Sequence, residues 1–330
     1  EQTYVHTFYK KEATAQQPAT SKEEGNLVAF SGPDFKATFD KQSGLLTSYL
    51  YKKHEYILNG QGPRPFFWRA PTDNDYGANL PVRLKAWKEA SYQEPKAESF
   101  QVTPGSNATT IKVTYRFPQT DARWDITYKI YASGVIKVDN RFVAEGDQAP
   151  MIPRVGLRMQ LPESFTDLTY YGRGPKENYR DRRTSQFIGE YAIPVKDMYE
   201  PYVRPQENNH RTDIYWCALT DKTQRGLLLI ADRTFELNAS NYPLESMDSG
   251  DTIDNGAPRT EKTHHRHLTD PLPEKMVDLF IDYRMMGVGG DDSWGATAHE
   301  PYLIRPGKEN AIEYGFSLVP VSYTHLRAHE

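Results

Sequence analysis

Two short segments crowd side chains that can bind hydroxyls or cations. The first, Arg69-Ala-Pro-Thr-Asp-Asn-Asp-Tyr-Gly77, sets Asp73, Asn74 and Asp75 in a row. Pro71, Asn74 and Gly77 interrupt regular structure, so a loop is expected. Its oxygens suit sugar hydroxyls, and they are also hard donors for Ca²⁺. The spacing is not that of an EF-hand, and one loop supplies too few ligands, so composition alone favours a structural Asx-turn cluster. The second segment, Gly287-Val-Gly-Gly-Asp-Asp-Ser-Trp294, places glycines beside Asp291, Asp292 and an indole. A phosphate cradle needs a helix directly after the glycines, whereas a polar stretch runs on to Pro301. An indole offers its face to the C–H side of a sugar while carboxylates accept hydroxyl protons. A core tryptophan after a tight turn is the competing reading, and the residues alone leave both open.

Other clusters carry less. Tyr170 to Tyr179 and Met198 to Asn208 are aromatic stretches with Gly, Pro, Glu and Asn, suited to lining a cleft or to bracing strand ends. His265 and His267 would share one face of a strand, giving two ligands at most with no recurrent zinc spacing nearby. No nucleophile elbow and no His-Glu-x-x-His is present. His210 near Glu207 is the one His–Glu pair that suggests acid–base chemistry. Cys217, the one cysteine, lies in an apolar run and reads as a core residue.

The elements that must carry these segments are strands. Ile111, Val113, Tyr115 and Phe117 alternate with polar residues, as do Trp124 to Ile130, Val155 to Leu161, Val277 to Ile281 and Ile312 to Leu318. A period of two over many short runs, punctuated by Gly, Pro, Asn and Asp, predicts an all-β fold, a large antiparallel β-sandwich. Val82 to Ala90 is the best helix candidate. Residues 1–24 read as the end of a preceding domain and a polar linker (Lys10 to Gly25), residues 25–320 as the sandwich. Val321 to Glu330 is what one frame of a transposase-based sequencing adapter encodes, so residues 321–330 are expected to be a non-native tail.

The 330 residues suffice for a sizeable core. A formal net charge of −4 gives no reason to expect nucleic acid or an anionic membrane as partner. No apolar run reaches membrane-spanning length. Whether the compartment is bacterial cytoplasm or periplasm stays open.

Taken together and in order, Phe67 to Asp75, Tyr171 to Tyr179 with Asp181-Arg182, Asp197 to Tyr202 with Pro205 to Asn208, His265 to Leu268, and Gly287 to Trp294 resemble the small-chain domain at the C-terminal end of family-2 glycoside hydrolase β-galactosidases. The likeness runs from about Val28 to Val319. It implies a supersandwich similar to that of galactose mutarotases. It also implies a galactoside substrate, with catalytic glutamates in a (β/α)₈ barrel upstream and none in this chain. Mg²⁺ and Na⁺ would be centred upstream, with no cofactor here, and the full-length enzyme would form a homo-oligomer. The substrate-binding residues it points to are Trp294, as the stacking ring, and Gly77, at the start of a mobile loop. Asn74, Asp75 and Asp291 are the accompanying polar candidates. The alternatives are a stand-alone aldose epimerase-like protein and a structural or oligomerisation module.

Overall fold

The structure, a computed structural model, describes residues 17–144, 151–250, 267–305, 307 and 310–321. The strand expected at Glu1 to Tyr9, His264, His265 and residues 322–330 lie outside the described residues.

Antiparallel strands dominate, as the alternation predicts. The smaller sheet is a meander of β1 (Thr20–Glu24), β2 (Leu27–Ser31), β3 (Phe35–Asp40), β4 (Leu46–Tyr51) and β5 (His54–Glu55). β1 falls inside the expected linker: its residues are exposed, yet the strand pairs with β2 from Thr20↔Ser31 to Glu24↔Leu27. Backbone pairing on an edge needs no apolar side chains, and so the polar sequence concealed it.

Among the described residues the larger sheet has twelve strands. They are β6 (Arg64–Phe66), β7 (Ala97–Thr103), β8 (Thr109–Phe117), β9 (Ala122–Ile130), β10 (Ile136–Ala144), β11 (Arg154–Pro162), β12 (Asp167–Gly174), β13 (Phe187–Pro194), β14 (Arg211–Thr220), β15 (Gly226–Ser240), β16 (Met276–Met285) and β17 (Ile312–Val321). β15 is the branch point. Its first half, Gly226 to Ala231, pairs with β17, and its second half, Glu236 to Ser240, pairs with β16. β17 runs one residue into the expected tail, because Val321 is buried and pairs with Gly226.

The two sheets share one core. Val28, Phe30 and Phe39 from the small sheet join Ile111, Trp124 and Tyr128 from the large one, and Phe39 meets Tyr128 edge-on with ring centroids 5.1 Å apart. Three short helices, α1 (Asp73–Gly77), α2 (Leu80–Arg83) and α3 (Lys85–Tyr92), bridge β6 and β7. The helix expected over Val82 to Ala90 is thus broken at Leu84, while Trp87 packs on Phe67 at 5.0 Å.

On β11 and β16 the polar face is buried too. Arg158 forms a salt bridge with Asp278 at 2.8 Å and lies over the Phe66 and Phe280 rings. Asp282 lies opposite Gly156 across a register shift in the β11–β16 pair. A Cβ on Gly156 would fall 1.8 Å from Asp282 Oδ1 and 2.8 Å from its Cα. Gly156→Ala should therefore destabilise the fold by at least ~1–3 kcal/mol, the cost of forcing atoms into a packed interior. Urea unfolding measures this, and a midpoint unchanged from wild type would contradict the close approach.

Candidate functional site

The Arg69–Gly77 segment is not an open loop. Thr72 N-caps α1: the Asp75 N–H donates to Thr72 Oγ1 at 3.1 Å, and the Thr72 N–H donates back to Asp75 Oδ2 at 3.0 Å. This is a capping box, and its Thr-x-x-Asp signature was in the sequence. Asp75 thereby turns inward. It is 6% exposed and takes Arg69 on both oxygens, at 3.0 and 2.8 Å. The physical reason is charge: a buried guanidinium needs a carboxylate partner. Asp75 accordingly supports the site from beneath, where the sequence reading had placed it among the groups facing the sugar.

Arg69 carries the support across the fold. Its Nη1 donates to the Met286 carbonyl at 2.7 Å and its Nη2 to the Gly287 carbonyl at 3.1 Å, where the chain leaves β16 for the second candidate segment. The far limb of that segment is held separately. Asp292 accepts the N–H groups of Trp294, Gly295 and Ala296 at 2.9–3.0 Å. The bonds from Ala296 and Trp294 hold its carboxyl below the usual range. Asn74 Nδ2 donates to the Asp292 carbonyl at 2.9 Å. Gly77 abuts the same limb: a Cβ there would lie 1.9 Å from the Trp294 carbonyl oxygen.

The structure thus brings Asn74, Gly77, Asp291 and Trp294 to one place, and only Asp75 is withdrawn from the surface. Trp294 is 75% exposed, the opposite of a core tryptophan. Asp291 is exposed and faces His299 Nε2 at 2.8 Å. Arg204 lies 4.2 Å over the Tyr76 ring and 3.5 Å from Asp73, which adds the Met198–Asn208 stretch to this face. Sequence reasoning missed Arg69 and Asp292 as supports, although the run Asp-Asp-Ser-Trp carried an Asx-turn signal for the latter.

A second polar cluster is sealed. His210, 0% exposed, lies 3.0 Å from Glu236 Oε2 and 2.6 Å from Asn238 Oδ1, and Asn238 Nδ2 donates to Glu207 at 2.9 Å. The His210–Glu207 pair is thus joined through Asn238 and enclosed. Burial alone would raise Glu236, but His210 and Arg180 hold it below its ordinary value of 4.5. Asp282, its cross-strand neighbour, is different. Burial raises its carboxyl to about 7 despite Arg154 Nε at 3.1 Å and His210, with Glu236 and Glu207 adding to the rise. Among the described residues no group of three or more His, Cys, Asp or Glu is placed to hold a metal ion.

Two curled antiparallel sheets on one core define a large antiparallel supersandwich. The chain belongs to the β-galactosidase small-chain family, whose model matches residues 31–318. It is 33% identical over 291 residues to the β-galactosidase of Priestia megaterium and 32% over 308 residues to that of Lactobacillus delbrueckii subsp. bulgaricus. Those matches cover 88% and 90% of this chain but only 26% and 28% of the relatives, so the chain spans about a quarter of their length. The galactose 1-epimerase of Lactobacillus acidophilus shares the fold, with TM-score 0.50, 6% identity, and 92% of this chain and 97% of that one covered.

Two outcomes are expected. Trp294→Ala should leave stability within about 0.5 kcal/mol, whereas Trp124→Ala, at a fully buried ring, should cost about 3–5 kcal/mol in denaturant unfolding. The second concerns pH. The folded-state pKa of Asp282 is raised from 3.8 to about 7, so between those values the folded state binds the proton and the unfolded state releases it. Its contribution to stability then falls as pH rises through this window and levels off above it. Glu236, with a lowered value, acts only below its ordinary 4.5. Asp282→Asn should accordingly lessen the drop in unfolding free energy between about pH 5 and pH 7.5. An undiminished drop would remove Asp282 as its source.

Proposed function

We propose that this chain forms one wall of the galactose pocket in a larger β-galactosidase of the retaining, family-2 type. The observation that carries the reading is Trp294, an indole in solvent on a loop tied down at both limbs. Such a ring gives a sugar an apolar platform without the entropic cost of ordering a mobile one. Asp291 and the neighbouring polar groups accept hydroxyl protons at the rim, while Asn74 and Gly77 set the height of the loop above α1. The matching relatives extend far beyond the aligned quarter, and the nucleophile and the acid/base carboxyl are assigned to that remainder, in an upstream barrel. Retaining hydrolysis places one carboxyl group on each side of the anomeric carbon. This chain's part is to grip the galactosyl group and exclude water, favouring a distorted ring through binding energy away from the reacting bond. Mg²⁺ and Na⁺, like the assembly into a homo-oligomer, belong to the complete enzyme in this reading.

The test pairs the chain with what it lacks. Alone it should not turn over o-nitrophenyl β-galactoside, and fusion to the upstream portion of the Priestia megaterium relative should restore turnover. In the active fusion Trp294→Ala should weaken galactoside binding by roughly 1–3 kcal/mol. Sustained hydrolysis by the purified chain, or an unaltered KM in the variant, would sink the proposal.

A further inference from the structure

The stem of the Trp294 loop is gripped by a turn outside the group of residues just assigned to the pocket. Tyr179 and Arg182 close an antiparallel bridge, with N–H···O distances of 3.2 and 2.8 Å, leaving Arg180 and Asp181 at its tip. Asp181 reaches the outgoing chain directly, and Arg180 reaches it through Glu236. Arg180 Nε donates to Glu236 Oε1 at 2.6 Å, and Glu236 Oε2 accepts the N–H of Met285, the last residue of β16, at 2.7 Å. Asp181 then accepts the N–H of Val288 at 3.2 Å on Oδ1 and of Gly289 at 2.7 Å on Oδ2. Gly287 makes this approach possible, since a Cβ there would lie 2.5 Å from Asp181 Oδ2. The turn is itself fixed: Tyr179 stacks on His210 at 5.4 Å and 18°, and Asn178 Oδ1 accepts from Thr212 Oγ1 at 2.6 Å.

We propose that Asp181 is a positioning residue for Trp294. Hydrogen bonds to an ionised acceptor are shorter and stronger than neutral ones, and here two of them fix the limb just before Gly289 and Gly290. Glycines left without that hold regain a wide range of backbone angles, and the indole beyond them would lose its fixed angle of presentation. Asp181→Asn keeps the shape but removes the charge and turns an amide NH₂ toward one of the two donors.

The first arm of the test uses this chain labelled with 5-fluorotryptophan, which gives five ¹⁹F resonances for its five tryptophans. Trp294→Phe assigns the one of interest. Asp181→Asn should shift or broaden the Trp294 resonance while those of Trp68, Trp87, Trp124 and Trp216 stay in place. If the variant disturbs all five, Gly287→Ala, which crowds the carboxylate from the other side, replaces it with the same expectation. A Trp294 resonance unmoved in a folded variant overturns the proposal. The second arm rests on the galactoside reading and uses the active fusion. Asp181→Asn should raise KM roughly 3- to 10-fold with Trp294 present and leave it unchanged in the Trp294→Ala background, as coupled sites do. Equal effects in both backgrounds overturn the positioning role. If Trp294→Ala alone leaves KM unchanged, the galactoside reading fails, and the resonance arm decides the role of Asp181 by itself.

Discussion

A carboxylate removed from water must be met by donors on every side, and Glu236 is where that demand shapes this protein. At 1% exposure it draws three parts of the chain together: His210 just before β14, Arg180 from a tight turn, and the backbone of Met285 at the end of β16. Each of these leads outward to the face that carries Trp294. Asp282 lies directly across from Glu236 on the neighbouring strand. Like charges in that relation repel, and Arg154 with His210 answers them. The start of β14, the end of β16 and the turn at Arg180 are thereby fixed by polar contacts more directional than apolar packing. Precision at the loops follows from charge balance beneath them.

The fold class was legible because period-two alternation is a direct consequence of strand geometry. Ile111 to Phe117 and Trp124 to Ile130 bury the sides their sequences assign them. What alternation conceals is burial of the second face. Asp278 and Asp282 read as outward residues of β16, yet both are buried, because Arg158 and Arg154 reach them from the neighbouring β11. Nothing in a one-strand window reports the charge on its neighbour. The one-turn helix α1 shows a different limit. Proline, asparagine and glycine pointed to a loop, while the capping pattern Thr72-x-x-Asp75 pointed to a helix start, and the latter prevailed once Arg69 neutralised Asp75.

The candidate site divides along the same line. Residues that face solvent, Trp294 and Asp291, are picked out by the family resemblance, since the glycine-rich acidic segment alone leaves a core tryptophan equally open. The holding role of the residues beneath them was not legible, even where Asn74 is named. Arg69 reaches Met286 across 217 positions, Asn74 reaches Asp292 across 218, and Asp181 reaches Val288 across 107. A hydrogen bond between such distant positions leaves no spacing pattern in the sequence. It is a property of the topology, and only the strand order of the larger sheet brings the pieces into reach.

The distances along the chain have a consequence for the order in which the protein matures. Several braces on the Trp294 loop come from upstream, from Arg69, Asn74 and the turn at Tyr179, so these parts leave the ribosome well before the loop they hold, while His299 and Tyr302 meet it from downstream. Long-range contacts form late, since the entropy of closing the intervening chain must be overcome first. Among the described residues the loop is followed by β17, the strand that pairs with the first half of β15. A chain stopped short of that strand would have its braces made and no finished sheet to aim them. The face that carries Trp294 would therefore be completed only once β17 has been made, and a shorter polypeptide would hold that loop over an unfinished sheet.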